Sequence, residues 1–373
     1  LPTAAITAAE VQEELLHMNP EHDSYFASLG WNATLDEAFH EATADGSALF
    51  PGRITSTARN AYFAATGSGE LLCSLSGKMR ESSGTVPVTG DWVLLRLHEG
   101  RDAGVVEALL PRRTLLRRAA AGRKTEEQPL AANVDYVFIV SGADGELNSR
   151  RIERYMTIVW ESGAVPIALL NKIDIADDPA AQLSEMARAA PGAEIVPVSA
   201  LSGEGIEELS RRLGPGATGV LLGSSGTGKS TIINRIIGRE ERQTRETRES
   251  DGKGRHVSVD RRLFVLPQGG CIIDTPGLRE VGLWSSEGLE GSFADIEELA
   301  EECRFGDCSH DHEPGCAVRA AIESGELDPA RLDSYRRQLR ELAFIEDRKS
   351  AKQRKEEWEK EIAQKIRRWR QER

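Results

Sequence analysis

The sequence predicts an α/β protein in three parts: a small β-barrel, a mostly parallel sheet with crossover helices, and a helical segment that carries a metal site. Three observations predict it. Short alternating segments divided by Gly-rich turns fill residues 49–115. From 131 to 285, continuous apolar runs alternate with stretches of helical spacing, the pattern of a parallel sheet covered on both faces. From 286 onward the pattern is helical, interrupted by three cysteines and a histidine.

At 373 residues the chain is long enough for two or three domains. Residues 1–48 read as a helical and loop extension, with weak helical spacing at Glu10 to Leu16 and Leu35 to Ala42. Between 49 and 115, "GRITSTARNAYFAAT", "GELLCSLSG", "GDWVLLRLHEG" and "DAGVVEALLP" give four or five strands. An OB-like barrel fits that size, and periodicity alone does not separate it from another small barrel or sandwich. Residues 116–130 read as a basic linker. In 131–285, "VDYVFIVSG", "PIALLNK", "AEIVPVSA", "TGVLLGSSG" and the two halves of "RRLFVLPQGGCIIDTPG" are strands. "NSRRIERYMTIVWESG", "AAQLSEMARAA", "GIEELSRRL" and "KSTIINRIIG" are the helices between them. Residues 286–345 form a helical metal-binding domain, and 346–373 a basic C-terminal helix or tail.

The net charge of −13 argues against a protein that coats nucleic acid over its whole surface. It leaves room for local basic faces, of which "PRRTLLRRAAAGRK" (111–124) and the tail are the two in view. No apolar run approaches the eighteen residues of a membrane span, so no membrane partner is expected. The opening residues lack a basic n-region followed by an apolar core, so no secretory leader is expected. Cys73 and Cys271 stand alone in apolar, strand-like contexts and read as buried small hydrophobes.

Gly223 to Ser230 reads G-x-x-x-x-G-K-S between a strand and a helix. Glycines there let backbone N–H groups turn inward around phosphates, and the helix N-terminus adds partial positive charge. Gly223, Ser224, Ser225, Gly226, Thr227, Gly228, Lys229, Ser230 and Thr231 are therefore phosphate-site candidates. Lys229 can reach the β- and γ-phosphates, and the Ser230 hydroxyl can bind magnesium. Asp274 ends the buried strand of "GGCIIDTPGL", where a carboxylate can hold magnesium through water, and the Gly277 N–H can approach the γ-phosphate.

"VPIALLNKIDIADD" ends a second strand in Asn-Lys-x-Asp. The Asp174 carboxylate can accept from guanine N1–H and N2–H₂ together. Adenine offers no such pair, and a buried unpaired acceptor makes rejection strong. Asn171 can bridge the base edge and nearby loops, and the Lys172 stem can lie over the base. Ser199 and Ala200 of "VSALSGEGI" can donate backbone N–H groups to guanine O6.

The base loop comes about fifty residues before the phosphate loop, the reverse of the usual nucleotide switch. Loops in an open parallel sheet all project from the carboxyl ends of strands, so the site needs them adjacent in space, not in sequence. Domain termini lie close together, so joining them and opening new ends preserves the site. The sequence thus reads as a circularly permuted P-loop GTPase domain, whose switch strand leads straight into "ECRFGDCSHDHEPGC". Cys303, Cys308, His310 and Cys316 suit one closed, structural tetrahedral zinc site, with His312 as second choice for the imidazole.

With "NKID", "SA", "GSSGTGKS", "GRH", "DTPGLRE", the "C…CSH…EPGC" segment, "GDWV", "PRR" and "NVD" in place, the chain resembles the circularly permuted ribosome small-subunit-dependent GTPase A family of bacteria over residues 50–345. The resemblance implies an N-terminal OB-fold, a permuted GTPase domain and a zinc domain. It also implies hydrolysis of GTP to GDP and phosphate, stimulated by the small ribosomal subunit during its late maturation in the cytoplasm. A monomer is expected. "GRHVSVD" departs from the run of Thr that the family usually carries there, leaving Ser258, or an upstream Thr such as Thr247, to close on magnesium. The position after Asp-x-x-Gly, where many small GTPases orient water with Gln, is Leu278, and His256 is the replacement that the resemblance supports. Slow turnover alone and acceleration by a partner follow; an RNA-binding nucleotide clamp and a permuted GTPase with a non-ribosomal partner are the alternative readings. Arg112, Arg113, Arg117 and Arg118, with the barrel, are expected to contact ribosomal RNA, mostly through phosphate and shape.

Overall fold

The computed structural model describes residues 24–58, 61–81, 86–98, 103–119, 127–145, 147–238, 261–275 and 282–371. His256, Ser258, Thr247, Gly277, Leu278 and the Glu10–Leu16 stretch lie outside the described residues.

Two short helices, α1 (Ser24–Ser28) and α2 (Ala33–Ala42), precede the barrel. Asn32 caps α2 by accepting from the Leu35 N–H. Between them Trp31 packs edge-on against Trp92 of the barrel, ring centroids 4.9 Å apart, and Phe26 lies on both rings. The barrel is β1 (Phe50–Ala58), β2 (Ala61–Thr66), β3 (Gly69–Leu75), β4 (Trp92–Leu97) and β5 (Ala103–Leu109), with helix α3 (Gly77–Glu81) after β3. Its order is β1-β2-β3-β5-β4, closed by β4 on β1, with only the β3–β5 pair parallel. This is the five-stranded OB-like barrel that the strand count suggested. Alternate residues Phe50, Ile54, Ala64, Val93, Leu95 and Val106 fill it, together with Cys73. Burial pushes the Cys73 thiol up to about 12, so it packs as an apolar group.

Residues 116–130, expected as a linker, carry a hairpin instead. β6 (Leu115–Ala119) pairs antiparallel with β7 (Glu127–Ala132). Leu116 and Leu130 are buried, and that apolar pair anchors the strands against the larger core.

The nucleotide-fold strands are β8 (Tyr136–Gly142), β9 (Val165–Asn171), β10 (Glu194–Val198), β11 (Thr218–Gly223), β12 (Arg262–Val265) and β13 (Cys271–Asp274). Their order is β10-β9-β8-β11-β13-β12, all parallel except β12. The helices are α4 (Ser149–Ser162), α5 (Pro179–Ala189), α6 (Ile206–Arg212) and α7 (Lys229–Ile237). Side chains of a strand alternate between faces. Accordingly Val137, Ile139, Leu170 and Leu222 enter one core with Met156 and Val159 of α4. Phe138, Val140, Leu169 and Leu221 enter the other with Leu209 of α6 and Ile232 of α7. Two buried faces explain the uninterrupted apolar runs.

Barrel and sheet are continuous. Ser56 of β1 bridges Arg262 of β12, which makes one eleven-stranded sheet. At the junction Arg53 is 1% exposed and donates to the carbonyls of Leu29, Gly90 and Asn133 and to Thr218 Oγ1. One guanidinium thus ties the N-terminal segment, the barrel and β11 together, with neutral acceptors meeting its hydrogen bonds.

The last part holds α8 (Leu289–Ser292), α9 (Ala294–Glu301), α10 (Ala317–Ser324) and α11 (Pro329–Gln371). The expected boundary at 345/346 falls inside α11, one helix of 43 residues. Its first half is seated on α4 by polar ties: Arg331 to Glu153 at 3.1 Å, Thr157 to Gln338 at 2.9 Å, and Arg154 on both oxygens of Glu341. The Lys349 ammonium ends the seat, 3.8 Å from the Trp284 ring centroid and bonded to the Trp284 carbonyl. Beyond it the described side chains, from Ser350 to Trp358, are exposed.

Candidate functional site

The phosphate loop lies between β11 and α7. Lys229 is the first residue of α7, behind Gly228 in the left-handed region. Gly223 has φ +152°, and a Cβ there would stand 2.4 Å from the Val140 carbonyl oxygen. Gly228 has φ +92°, and a Cβ there would stand 2.2 Å from Asn171 Nδ2. Both positions therefore require glycine for conformation and for space. The Lys229 ammonium lies against the Gly223 and Ser224 carbonyls, at 2.8 and 2.6 Å. Ser225, Gly226 and Ser230 are exposed along the loop, and Thr227 and Thr231 are half-buried.

The clash partner of Gly228 identifies the second loop. Asn171 ends β9 and is 1% exposed. Its amide donates to the Thr227 carbonyl at 2.8 Å and accepts from the Ala200 N–H at 3.0 Å. One side chain therefore joins the base loop, the phosphate loop and the Ser-Ala loop. The Ala200 N–H expected to face guanine O6 is held here by Asn171, while Ser199 is buried and its hydroxyl accepts from the Ser202 N–H. Lys172 has φ +69° and pairs with Asp144 at the end of β8. Asp174, expected as a buried acceptor, is instead exposed, because it sits in a short surface 3₁₀ turn beyond the end of β9.

Asp274 ends β13 beside the phosphate loop. Burial raises its carboxyl above the usual range, and the neighbouring Lys229 charge partly offsets this. A half-buried carboxylate next to a phosphate loop gains from a divalent cation, which replaces the lost hydration. Thr275 Oγ1 donates to the Leu221 carbonyl and fixes the strand end.

The second site lies between α9 and α10. The ligand atoms of Cys303, Cys308, His310 and Cys316 lie within 4.8 Å of one another. Cys303 Sγ and Cys316 Sγ are 3.9 Å apart, and His310 Nδ1 is 3.5 Å from each. Zinc–ligand bonds of about 2.0–2.3 Å in a tetrahedron place ligand atoms about 3.5–3.8 Å apart, so the donor set fits a metal ion. His312 is exposed and outside the cluster. Glu313 organises the loop: its carboxylate accepts from the N–H groups of Ser309, Asp311 and His312 and from the Ser309 hydroxyl. Those bonds hold it down at about 2. Glu313 was unread in the sequence because nothing local separates a loop-organising acid from a solvated one.

Three of the four arginines at 112–118 face carboxylates. Arg112 grips the fully buried Asp91 through two 2.7 Å bonds. Arg113 pairs with Asp135, which also accepts from the Thr218 N–H. Arg117 binds Glu161 and Glu287, and Arg118 donates to Gln128. "GDWV", "PRR" and "NVD" are thus three pieces of one ion-pair lattice at the barrel–sheet junction. Of these arginines Arg113, 59% exposed at its side chain, keeps the larger share of its surface in solvent than Arg112 or Arg117.

Base loop and phosphate loop meet in space although they run in reversed order in the chain, and the class so defined is the circularly permuted P-loop GTPase. The RsgA GTPase family model matches residues 109–284. A Syntrophotalea carbinolica protein named small ribosomal subunit biogenesis GTPase RsgA is 41% identical over 92% of this chain and 97% of its own. A Streptomyces coelicolor protein of the same name is 42% identical over 89% of this chain and 91% of its own. Among solved structures, YjeQ from Thermotoga maritima is similar with a TM-score of 0.59 at 28% identity, over 79% of this chain and 99% of that one. YloQ, described as a circularly permuted GTPase, has a TM-score of 0.56 at 24% identity, over 80% and 96%, and bears on the fold. The chain belongs to the RsgA GTPase family, and is a hydrolase acting on GTP. The family implies magnesium with the nucleotide. Among the described residues, no helix is long and apolar enough to cross a membrane.

Proposed function

We propose that this GTPase binds the small ribosomal subunit, contacts its rRNA, and hydrolyses GTP to GDP and phosphate during late maturation of that subunit. The proposal includes a cytoplasmic, monomeric protein with one structural zinc ion. The observation that carries the nucleotide reading is the Asn171 side chain, which holds base loop and phosphate loop in one unit. The names of the relatives support the ribosomal partner.

In this reading Asp174 accepts from the guanine edge while Lys172 lies along the base. Backbone N–H groups of Gly223 to Ser230 surround the phosphates, and Lys229 exchanges its two carbonyl partners for phosphate oxygens. Ser230, and Asp274 through water, would hold magnesium, which would supply positive charge to the phosphates. Water attacks the γ-phosphorus in line, the bond to the β–γ bridging oxygen breaks, and GDP leaves as the leaving group. His256 is assigned to orient that water, Ser258 to close on magnesium, and the Gly277 N–H to meet the γ-phosphate, on sequence grounds. Arg113 and Arg118 are assigned to RNA phosphate, with Arg112 and Arg117 as their internal supports.

The test is multiple-turnover hydrolysis with and without purified small subunits, with ATP as the base control and His256→Ala beside the wild type. Large GTP-only stimulation, lost in the variant, is expected. Tight guanine-nucleotide binding without stimulation would overturn the ribosomal partner, and stimulation that survives in the variant would remove His256 from its role.

A further inference from the structure

We propose that Arg151 and Tyr155, on the first turns of α4, contact the terminal phosphate of the bound triphosphate and so set the preference for GTP over GDP. The inference rests on the guanine-nucleotide reading above and adds two residues to that site.

Arg151 Nη1 is 2.5 Å from the Ser224 hydroxyl. Lys229 Nζ is 2.6 Å from the carbonyl of the same residue. Two cations therefore converge on Ser224 from its two polar ends, and one of them is the residue that reaches the β- and γ-phosphates in every P-loop. The Arg151 guanidinium is exposed, and has no ion-pair partner among the described residues. This sets it apart from Arg112, Arg113, Arg117, Arg154 and Arg331, each of which faces a carboxylate. The position of Arg151 is set by its own backbone: its N–H bonds the Asn148 side chain that caps α4.

Tyr155 supplies a second, independent observation. It is 3% exposed, and among the described residues its hydroxyl makes no well-formed hydrogen bond, with the Ser224 side chain as a polar neighbour. A buried hydroxyl left unpaired is costly, and buried hydroxyls in folded proteins are paired in the large majority of cases. It lies one helical turn from Arg151, and both line a cavity of about 320 Å³ whose walls also include Ser224 to Thr227 and the Lys172–Asp144 ion pair, in which the ammonium offsets the carboxylate. The cavity borders the phosphate loop and presents the Arg151 guanidinium, which faces no carboxylate among the described residues, and the Tyr155 hydroxyl, both beside Ser224. The ligand chemistry that satisfies both is an anionic oxygen with room for water, which a triphosphate has at its end and a diphosphate lacks. Burial keeps the phenol protonated, so it can donate.

The test compares GDP with a non-hydrolysable GTP analogue, both fluorescently labelled, on the full chain with magnesium. Wild type, Arg151→Ala, Arg151→Lys and Tyr155→Phe are titrated side by side. A lost hydrogen bond to a charged group is a loss of about ten- to hundredfold. Arg151→Ala is expected to lose that much affinity for the triphosphate and to hold GDP within about threefold. Arg151→Lys should recover part of the loss, because it restores charge without the fork. Tyr155→Phe should also weaken only the triphosphate. Without nucleotide its melting temperature should equal or exceed the wild type, since an unpaired hydroxyl has been removed. Equal losses for both nucleotides would mean that the two residues merely prop the loop, and no change would mean that they do not reach the ligand. Either result overturns the proposal. Failure of the wild type to select guanine over adenine nucleotides would instead overturn the underlying reading.

Discussion

Replacing Asn171 with alanine removes the one side chain that joins three loops. Two backbone groups then lose their partners, the half-buried Thr227 carbonyl and the buried Ala200 N–H, now bonded at 2.8 and 3.0 Å. An unsatisfied buried backbone group costs about 1–3 kcal/mol, so the pair costs about 2–6 kcal/mol if both stay dry. Water entering the space of the lost amide brings the cost toward the lower figure. Folding stability is expected to fall by about 2–3 kcal/mol, and guanine-nucleotide affinity by more than the hundredfold that 2.8 kcal/mol represents, because the loops are no longer held in register. Asn171→Asp separates the effects. It still accepts from Ala200 but sets an anion against the Thr227 carbonyl, so it should damage nucleotide binding more than the fold. Urea unfolding followed by circular dichroism reads the first quantity, and labelled GDP titration the second. An alanine variant that unfolds at the wild-type urea midpoint and binds GDP within threefold would refute the view that Asn171 holds the permuted site together.

Gly228→Ala should abolish nucleotide binding, since its Cβ would stand 2.2 Å from Asn171 Nδ2 on a backbone with φ +92°; isothermal titration with GDP checks this. Cys316→Ser should lose close to one zinc per chain, read by elemental analysis, and Glu313→Ala should weaken zinc about 10–100-fold in competition with a chromophoric chelator. Burial raises the carboxyl of Glu153 in the folded state, against the lowering effect of Ser334 and Arg331. Its raised folded value means that the fold prefers the protonated acid, so the penalty is fully present above the folded pKa and is relieved progressively as pH falls through it toward the unfolded value near 4.5. Glu153→Gln should accordingly flatten the change in urea midpoint between pH 7.5 and pH 5; an unchanged pH profile would refute the assignment.

The sequence carried the parts that local pattern encodes. Apolar runs such as Val137–Val140 announce strands buried on both faces, and the phosphate, base and Cys/His segments are short strings whose chemistry depends on spacing. What it hid depends on distant partners. Leu115–Ala119 looks like the end of a barrel followed by a basic linker, until Leu116 finds the buried core and Glu127–Ala132 finds it as a strand partner. Arg112 and Arg117 look like RNA ligands until Asp91 and Glu161 appear beside them. A run of arginines has the same composition whether it faces phosphate or carboxylate, and only the fold tells which. Arg53 gives no signal at all, since its burial comes from four segments far apart in the chain.

The long helix α11 gives the molecule mechanical gain. About 22 residues continue beyond Lys349, and at 1.5 Å per residue that is an arm of about 33 Å. A tilt of about 10° at Lys349 would sweep its far end through about 6 Å. The helix α4 that seats it begins at the phosphate loop, where Arg151 meets Ser224. A small tilt at that seat would therefore be multiplied along the arm to about the width of a nucleobase at its tip.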